Sequence, residues 1–258
     1  MDVLQAARVL GLSTISFLVA LMLTPAVVKI LYKFHFNKQI RNKESAPVFY
    51  ELHKSKENTP TMGGIVIWAT VLLLAALLFI LGKFFDGFWE YLNFVDRGQT
   101  YLPIAAMLVA AILGLIDDLM GVFRIGANGG GLKISQKLAV YTLLALIGGL
   151  WFYFRLNWTT LYVPFVGNLE IGWWYVPIFM FIIIASAFSA NETDGLDGLA
   201  GGVLLFSFAA MTVVAFTIGR YDLAAFTGMT VGALLAFLWF NIYPARFFMG
   251  DTGSMALG

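Results

Sequence analysis

Long uncharged apolar runs recur along the chain, separated by short segments in which charge and glycine collect. A helix needs roughly 20 apolar residues to cross about 30 Å of hydrocarbon. Runs near that length fall at residues 9–28, 62–82, 98–116, 138–154, 171–191, 198–219 and 223–245, and they predict seven transmembrane helices. An eighth is predicted to begin after Asp251, with residues 252–258 as its opening turns. At 1.5 Å per residue that stretch reaches about 10 Å. Backbone groups unpaired in hydrocarbon cost several kcal/mol, so these turns are expected to fray or to need a partner, and the chain reads as C-terminally truncated. The first run does not read as a cleavable signal: it is long for one, Asp2 and Arg8 precede it, and Lys29 follows like an ordinary flank.

Between the runs, residues 84–94 interleave Phe84, Phe85, Phe88, Trp89, Tyr91 and Phe94 with Asp86 and Glu90, a pattern suited to a helix lying in the headgroup layer. Residues 158–171 carry Thr, Tyr, Val and Phe around Pro164 and Gly167-Asn168, which predicts a short hairpin. No internal repeat stands out, so the inverted-repeat signature of many secondary transporters is not evident. The expected architecture is an all-α polytopic membrane protein of one domain, residues 1–258, with a short periplasmic hairpin.

Composition agrees: 60% of the 258 residues are hydrophobic and 12% charged, which leaves too little polar chain for a separate water-soluble domain. A net charge of +1, from 16 Lys plus Arg against 15 Asp plus Glu, excludes the basic excess of a nucleic-acid binder. With no cysteine, thiolate chemistry and Cys-ligated metals are excluded, so reactivity must come from oxygen, amine or imidazole groups. The position of charge says more than its sum. Eleven of the 16 basic residues, from Lys29 and Lys33 through Lys54, Lys56, Arg124, Lys133 and Lys137 to Arg246, fall in alternate loops on one side. The positive-inside rule makes that side cytoplasmic and the N-terminus external.

The same topology, derived from Lys and Arg alone, brings Asp117, Asp118, Glu192, Asp194, Asp197 and Asp251 to the cytoplasmic face. Asp117 and Asp118 end their apolar run, where the helix macrodipole disfavours anions by about 0.3 to 1 kcal/mol each. Helix capping therefore does not explain them, whereas a bound cation or a positively charged neighbour does; for hard carboxylate oxygens without Cys, Mg²⁺ is the natural ion. In NETDGLDGLAGG, residues 191–202, Asp194 and Asp197 are three apart, and either could serve as an N-cap. The surrounding glycines also suit close backbone approach to a phosphate. Asp251, between Gly250 and Thr252, is open to the same two readings. Phe248 reads as a buried anchor or as a surface on which a base or sugar could stack. In KSKENTPTMGG, Lys54 and Lys56 precede hydroxyls and paired glycines, suited either to nucleotide phosphates or to anionic lipid. His35 and His53 read as interfacial or solvated.

In order and spacing, the block from Ile40 through His53 to TPTMGG, LGLIDDLMGV at residues 113–122, GLKISQKL at 131–138, NETDGLDGLAGG and FFMGDTGSMALG at 247–258 resemble the phospho-N-acetylmuramoyl-pentapeptide transferases of bacterial peptidoglycan synthesis. That family lies within the polyprenyl-phosphate N-acetylhexosamine-1-phosphate transferases, and the resemblance runs nearly end to end. It implies a Mg²⁺-dependent enzyme of the bacterial cytoplasmic membrane that moves phospho-N-acetylmuramoyl-pentapeptide from its UDP carrier to undecaprenyl phosphate, giving lipid I and UMP. Asp117, Asp118 and Asp251 would be the catalytic and metal-binding carboxylates, with Asp251 and then Asp117 on the metal. Lys56, Thr61, Asn191, Asp194, Gly195, Asp197 and Phe248 would shape the nucleotide pocket, with Lys133 and Asn241 close by. A homodimer is left open.

Two departures accompany the resemblance. The family's lysine three residues after the aspartate pair is replaced by Gly121, which would leave a phosphate contact to Arg124 or Lys133, and the family's histidine-rich loop and last helices are absent. The N-acetylglucosamine branch shares the acidic motifs and remains the alternative. An ion-coupled transporter is the distant one, since its site belongs at the bilayer midplane rather than at helix ends.

Overall fold

A chain segment in hydrocarbon must satisfy its backbone internally, and helices do so. The structure, a computed structural model, describes residues 2–36, 59–95, 98–126, 130–163 and 165–258. Seven of its helices are long and apolar enough to cross a membrane: α1 (Asp2–Lys33), α2 (Ile65–Phe84), α4 (Gly98–Val122), α5 (Ile134–Leu156), α6 (Tyr175–Thr193), α7 (Leu199–Thr217) and α8 (Tyr221–Asn241). Two short α-helices, α3 (Phe88–Leu92) and α9 (Asp251–Leu257), and a 3₁₀ turn at Gly172–Trp174 complete the helical set among the described residues. The protein is a multi-pass membrane protein.

Two boundaries differ from the apolar runs in ways that matter. Helix α4 continues past residue 116 to Val122, so Asp117 and Asp118 lie within its last turns rather than at its end. Helix α8 stops at Asn241, not 245, and the chain bends back toward the bundle before α9.

Helix α8 is the most enclosed, packed against α1, α7 and α2. Small residues let the backbones approach. A Cβ on Gly232 would lie 2.1 Å from the Ser13 carbonyl oxygen, and Ser16 Oγ donates across the seam to the Met229 carbonyl at 2.7 Å. Such contacts supply association where lipid gives no hydrophobic drive between helices. By contrast α5 and α6 pair with each other and keep large apolar side chains such as Ile147, Trp151, Phe181 and Ile182 exposed, as lipid-facing helices do. The short α9 is wedged against α4, α6 and α2, with Thr252 through Leu257 all buried. The helix is therefore held by the chain's own bundle rather than standing alone.

At the far end of the bundle Arg8 joins α1 to α8 and to the loop after α3: it pairs with Asp222 at 3.0 Å, donates to the Asn93 carbonyl at 2.9 Å and lies over the Tyr91 ring. The aromatic run of residues 84–94 begins at the last residue of α2 and forms a separate helix only over Phe88–Leu92, with Phe84, Phe85, Phe88 and Trp89 exposed and Phe94 fully buried. The expected hairpin is present: β1 (Thr160–Val163) and β2 (Gly167–Glu170) pair antiparallel, with Thr160 opposite Glu170 and Val163 opposite Gly167.

Candidate active site

Four separate segments meet at one end of the bundle, and their backbones hold one another. Phe248 N–H donates to the Pro60 carbonyl (2.8 Å), Gly63 N–H to the Phe248 carbonyl (2.8 Å) and Gly64 N–H to the Met249 carbonyl (2.9 Å). Here glycine is required: a Cβ on Gly64 would sit 2.3 Å from Gly253 Cα. Gly250 adopts a left-handed φ of 72°, and a Cβ there would meet Asp118 Oδ2, Thr61 Oγ1 and Met62 N, each within 2.8 Å.

Two carboxylates grip the resulting turn. Asp194 Oδ2 accepts from Gly250 N–H and Asp118 Oδ2 from Thr252 N–H, both at 2.9 Å. Asp118 therefore satisfies an orphan donor at the start of α9; capping does explain one member of the aspartate pair, but of a helix other than its own. Asp194 follows the end of α6, and the residue preceding α7 is Gly198, so Asp194 is not the N-cap that the sequence allowed. Asp197 Oδ2 accepts from Ala245 N–H at 3.2 Å, and buried Asn241 accepts from Gly198 N–H at 3.0 Å while donating to the Phe247 carbonyl at 2.8 Å. Both hold the bend after α8.

What these clamps position is a charged centre. Lys137, in the first turn of α5, places Nζ 2.7 Å from Asp117 Oδ2 and against Asp251 Oδ2. Asp117 is 4% exposed and also accepts from the Leu132 backbone N–H. Asn191, near the end of α6, donates to Asp251 Oδ1 at 2.9 Å and to Ser254 Oγ at 3.0 Å. Lys137 is the positively charged neighbour expected for Asp117, and it is shared with Asp251 from α9. Charge-assisted hydrogen bonds of this kind are stronger than neutral ones.

The sequence compares directly with known proteins. Residues 100–258 match the family model described as glycosyl transferase family 4, and residues 56–67 match phospho-N-acetylmuramoyl-pentapeptide-transferase signature 1. A phospho-N-acetylmuramoyl-pentapeptide-transferase of Clostridium novyi (strain NT) is 35% identical over 95% of this chain and 69% of its own length. Proteins of the same name from Chloroflexus aggregans (strain MD-66 / DSM 9485) and Geobacillus thermodenitrificans (strain NG80-2) are also 35% identical, over 98% and 95% of this chain and 65% and 70% of theirs. The chain belongs to the phospho-N-acetylmuramoyl-pentapeptide-transferase family. It spans about two thirds of the length of these relatives.

Of the residues that membership in the transferase family led us to expect, Asp117, Asp251 and Asn191 meet in the charged centre, while Asp118, Asp194, Asp197 and Asn241 hold the turns around it. Thr61 is 4% exposed and its hydroxyl, beside Gly250, has no hydrogen-bond partner among the described residues. Phe248 is half-buried and Gly195 exposed. Lys56 lies outside the described residues. Lys133 is exposed immediately before α5, its N–H bonded to Gln136 Oε1, and Arg124 is exposed too. The cation that does reach the carboxylates is Lys137, from another helix. The signal was present in GLKISQKL, where Lys137 is the basic residue one turn into the helix, but no spacing rule ranks it above Lys133.

Proposed function

We propose that this transferase moves phospho-N-acetylmuramoyl-pentapeptide from its UDP carrier to undecaprenyl phosphate at the cytoplasmic face of the bacterial inner membrane, with the N-terminus outside. A single observation carries the reading: the Lys137 ammonium set between Asp117 and Asp251 at one end of the helix bundle, where a soluble nucleotide sugar and a lipid phosphate can both arrive. An oxygen of the lipid phosphate attacks the sugar-bearing phosphorus, the bond between the two phosphates of the UDP group breaks, and UMP leaves.

Both reactants are anions, so the task is neutralisation and alignment rather than covalent catalysis. Lys137 can turn from the carboxylates to a phosphate oxygen while Asn191 keeps Asp251 in place. The buried Thr61 hydroxyl has hydrogen-bonding capacity to spare at the Gly250 turn. A phosphate monoester with second pKa near 6 is largely a dianion at neutral pH, so no dedicated base is required. Asp251 and Asp117 also suit Mg²⁺. Among the described residues no three His, Cys, Asp or Glu side chains group around one point, but this ion is generally held by one or two carboxylates with phosphate and water supplying the rest. When bound, it would neutralise pyrophosphate charge and orient the reacting oxygens.

Transfer of radiolabelled sugar phosphate into lipid, measured in detergent with undecaprenyl phosphate and Mg²⁺, tests this directly. The pentapeptide-bearing UDP sugar should be the preferred donor. Preference for UDP-N-acetylglucosamine would move the protein to the other branch, and no transfer from either donor would overturn the reading.

A further inference from the structure

The charged centre has a floor. One helical turn from Asp117 on α4 is Leu113, one turn from Lys137 on α5 is Tyr141, one turn from Asn191 on α6 is Ala187, and one turn from Asp251 on α9 is Met255. Residues four apart share a helix face, so the four helices that bring polar groups to one layer bring a second layer together beneath it. The contacts agree: Tyr141, Ala187 and Met255 form a buried cluster on which Leu113, Ile184 and Phe188 pack.

Within this apolar layer Tyr141 is the exception. It is 3% exposed, and its hydroxyl, fully enclosed, has no hydrogen-bond partner among the described residues. Enclosing a hydroxyl with nothing to bond is unfavourable, and native structures rarely leave such a group without a reason. Direction supplies the reason. Side chains on a helix lean toward its N-terminus, and the N-terminal end of α5 is where Lys137 lies. The phenol therefore rises from the floor toward the charged layer, within electrostatic reach of Asp251, Asp117, Lys137 and Glu192.

We propose that the Tyr141 hydroxyl is a positioning group for the carboxylate pair: when a phosphate draws the Lys137 ammonium away, the phenol donates to Asp251 and keeps that carboxylate oriented. In the resting protein Lys137 occupies both carboxylates and the hydroxyl is spare; with substrate bound it has an acceptor. The inference rests on the transferase reading above.

Tyr141→Phe keeps the ring that packs on Ala187 and Met255 and removes the hydroxyl alone. Steady-state transfer and thermal unfolding of the full chain in detergent, with and without the substitution, decide the matter. The melting temperature should be equal or higher, kcat should fall about tenfold, as for loss of one hydrogen bond to a charged group, and KM for the nucleotide sugar should stay within about twofold. A kcat within about twofold of the unmodified protein would overturn the proposal, as would a raised KM with unchanged kcat, which marks a simple substrate contact. A lowered melting temperature would overturn its premise, because the hydroxyl would then have a partner in the resting fold. Absence of transfer by the unmodified protein would count against the transferase reading itself, and the unfolding comparison would still test the premise.

Discussion

Lys133 and Lys137 stand one turn apart at the start of α5, carry the same charge and differ in everything the structure adds. The first is exposed; the second is enclosed between two carboxylates from α4 and α9. Replacing Lys137 by Gln removes the cation and leaves Asp117 and Asp251 facing each other, so turnover should fall at least about a hundredfold, whereas Lys133→Gln should stay within about threefold; product formation at equal protein concentration separates them. Asp118 and Asp117 are neighbours with different tasks. Asp118→Ala removes the acceptor from Thr252 N–H and should cost about 1 to 2 kcal/mol of stability, the range for loss of a helix cap. Asp118→Asn, which still offers an amide oxygen, should cost much less. Chemical or thermal unfolding in detergent would show whether that order holds.

At the scale of the element, α9 is too short to be stable by itself, and its place is set by what it touches. It meets α4 at Gly114, where an added Cβ would lie 2.3 Å from the Asp251 carbonyl oxygen and 2.7 Å from Thr252 Cα. Backbone cannot yield as a flexible side chain does. Gly114→Ala should therefore push α9 and its Asp251 carboxylate off the charged centre, reducing turnover at least about tenfold while the other helices still assemble. Gly121→Ala lies on the same helix where a Cβ would meet nothing within 4 Å, and should be neutral. A turnover assay on both variants, with folded yield checked by size-exclusion chromatography, tests the argument.

Across the whole molecule, the segments expected on one side of the membrane do meet at one end of the bundle, while the hairpin and the Arg8 cluster mark the other. The proposal that the charged centre faces the cytoplasm rests on the distribution of Lys and Arg. Because the chain has no cysteine, single substitutions report cleanly: Lys133→Cys should react with a membrane-impermeant thiol reagent in inverted vesicles and Tyr162→Cys in right-side-out ones. The reverse pattern would turn the protein over and place the charged centre away from soluble nucleotide sugars.

The sequence by itself determined the membrane class, the seven spans and the gathering of the acids, because hydrocarbon selects helices on local hydropathy and a strict alternation of sides then sorts the loops. It also carried the family, in motifs that keep their order. Tertiary structure decided the division of labour within those motifs. Whether a carboxylate is a clamp or part of the charged centre depends on which backbone N–H or ammonium reaches it, and those partners are remote: Asp118 answers to Thr252, 134 residues away, and Asp251 to Lys137, 114 residues away. Such distances close only because Gly64, Gly114 and Gly250 let backbones approach to within what a Cβ would occupy. Local pattern records that a glycine is present; the neighbour that needs the space is recorded elsewhere in the chain, and folding brings the two together.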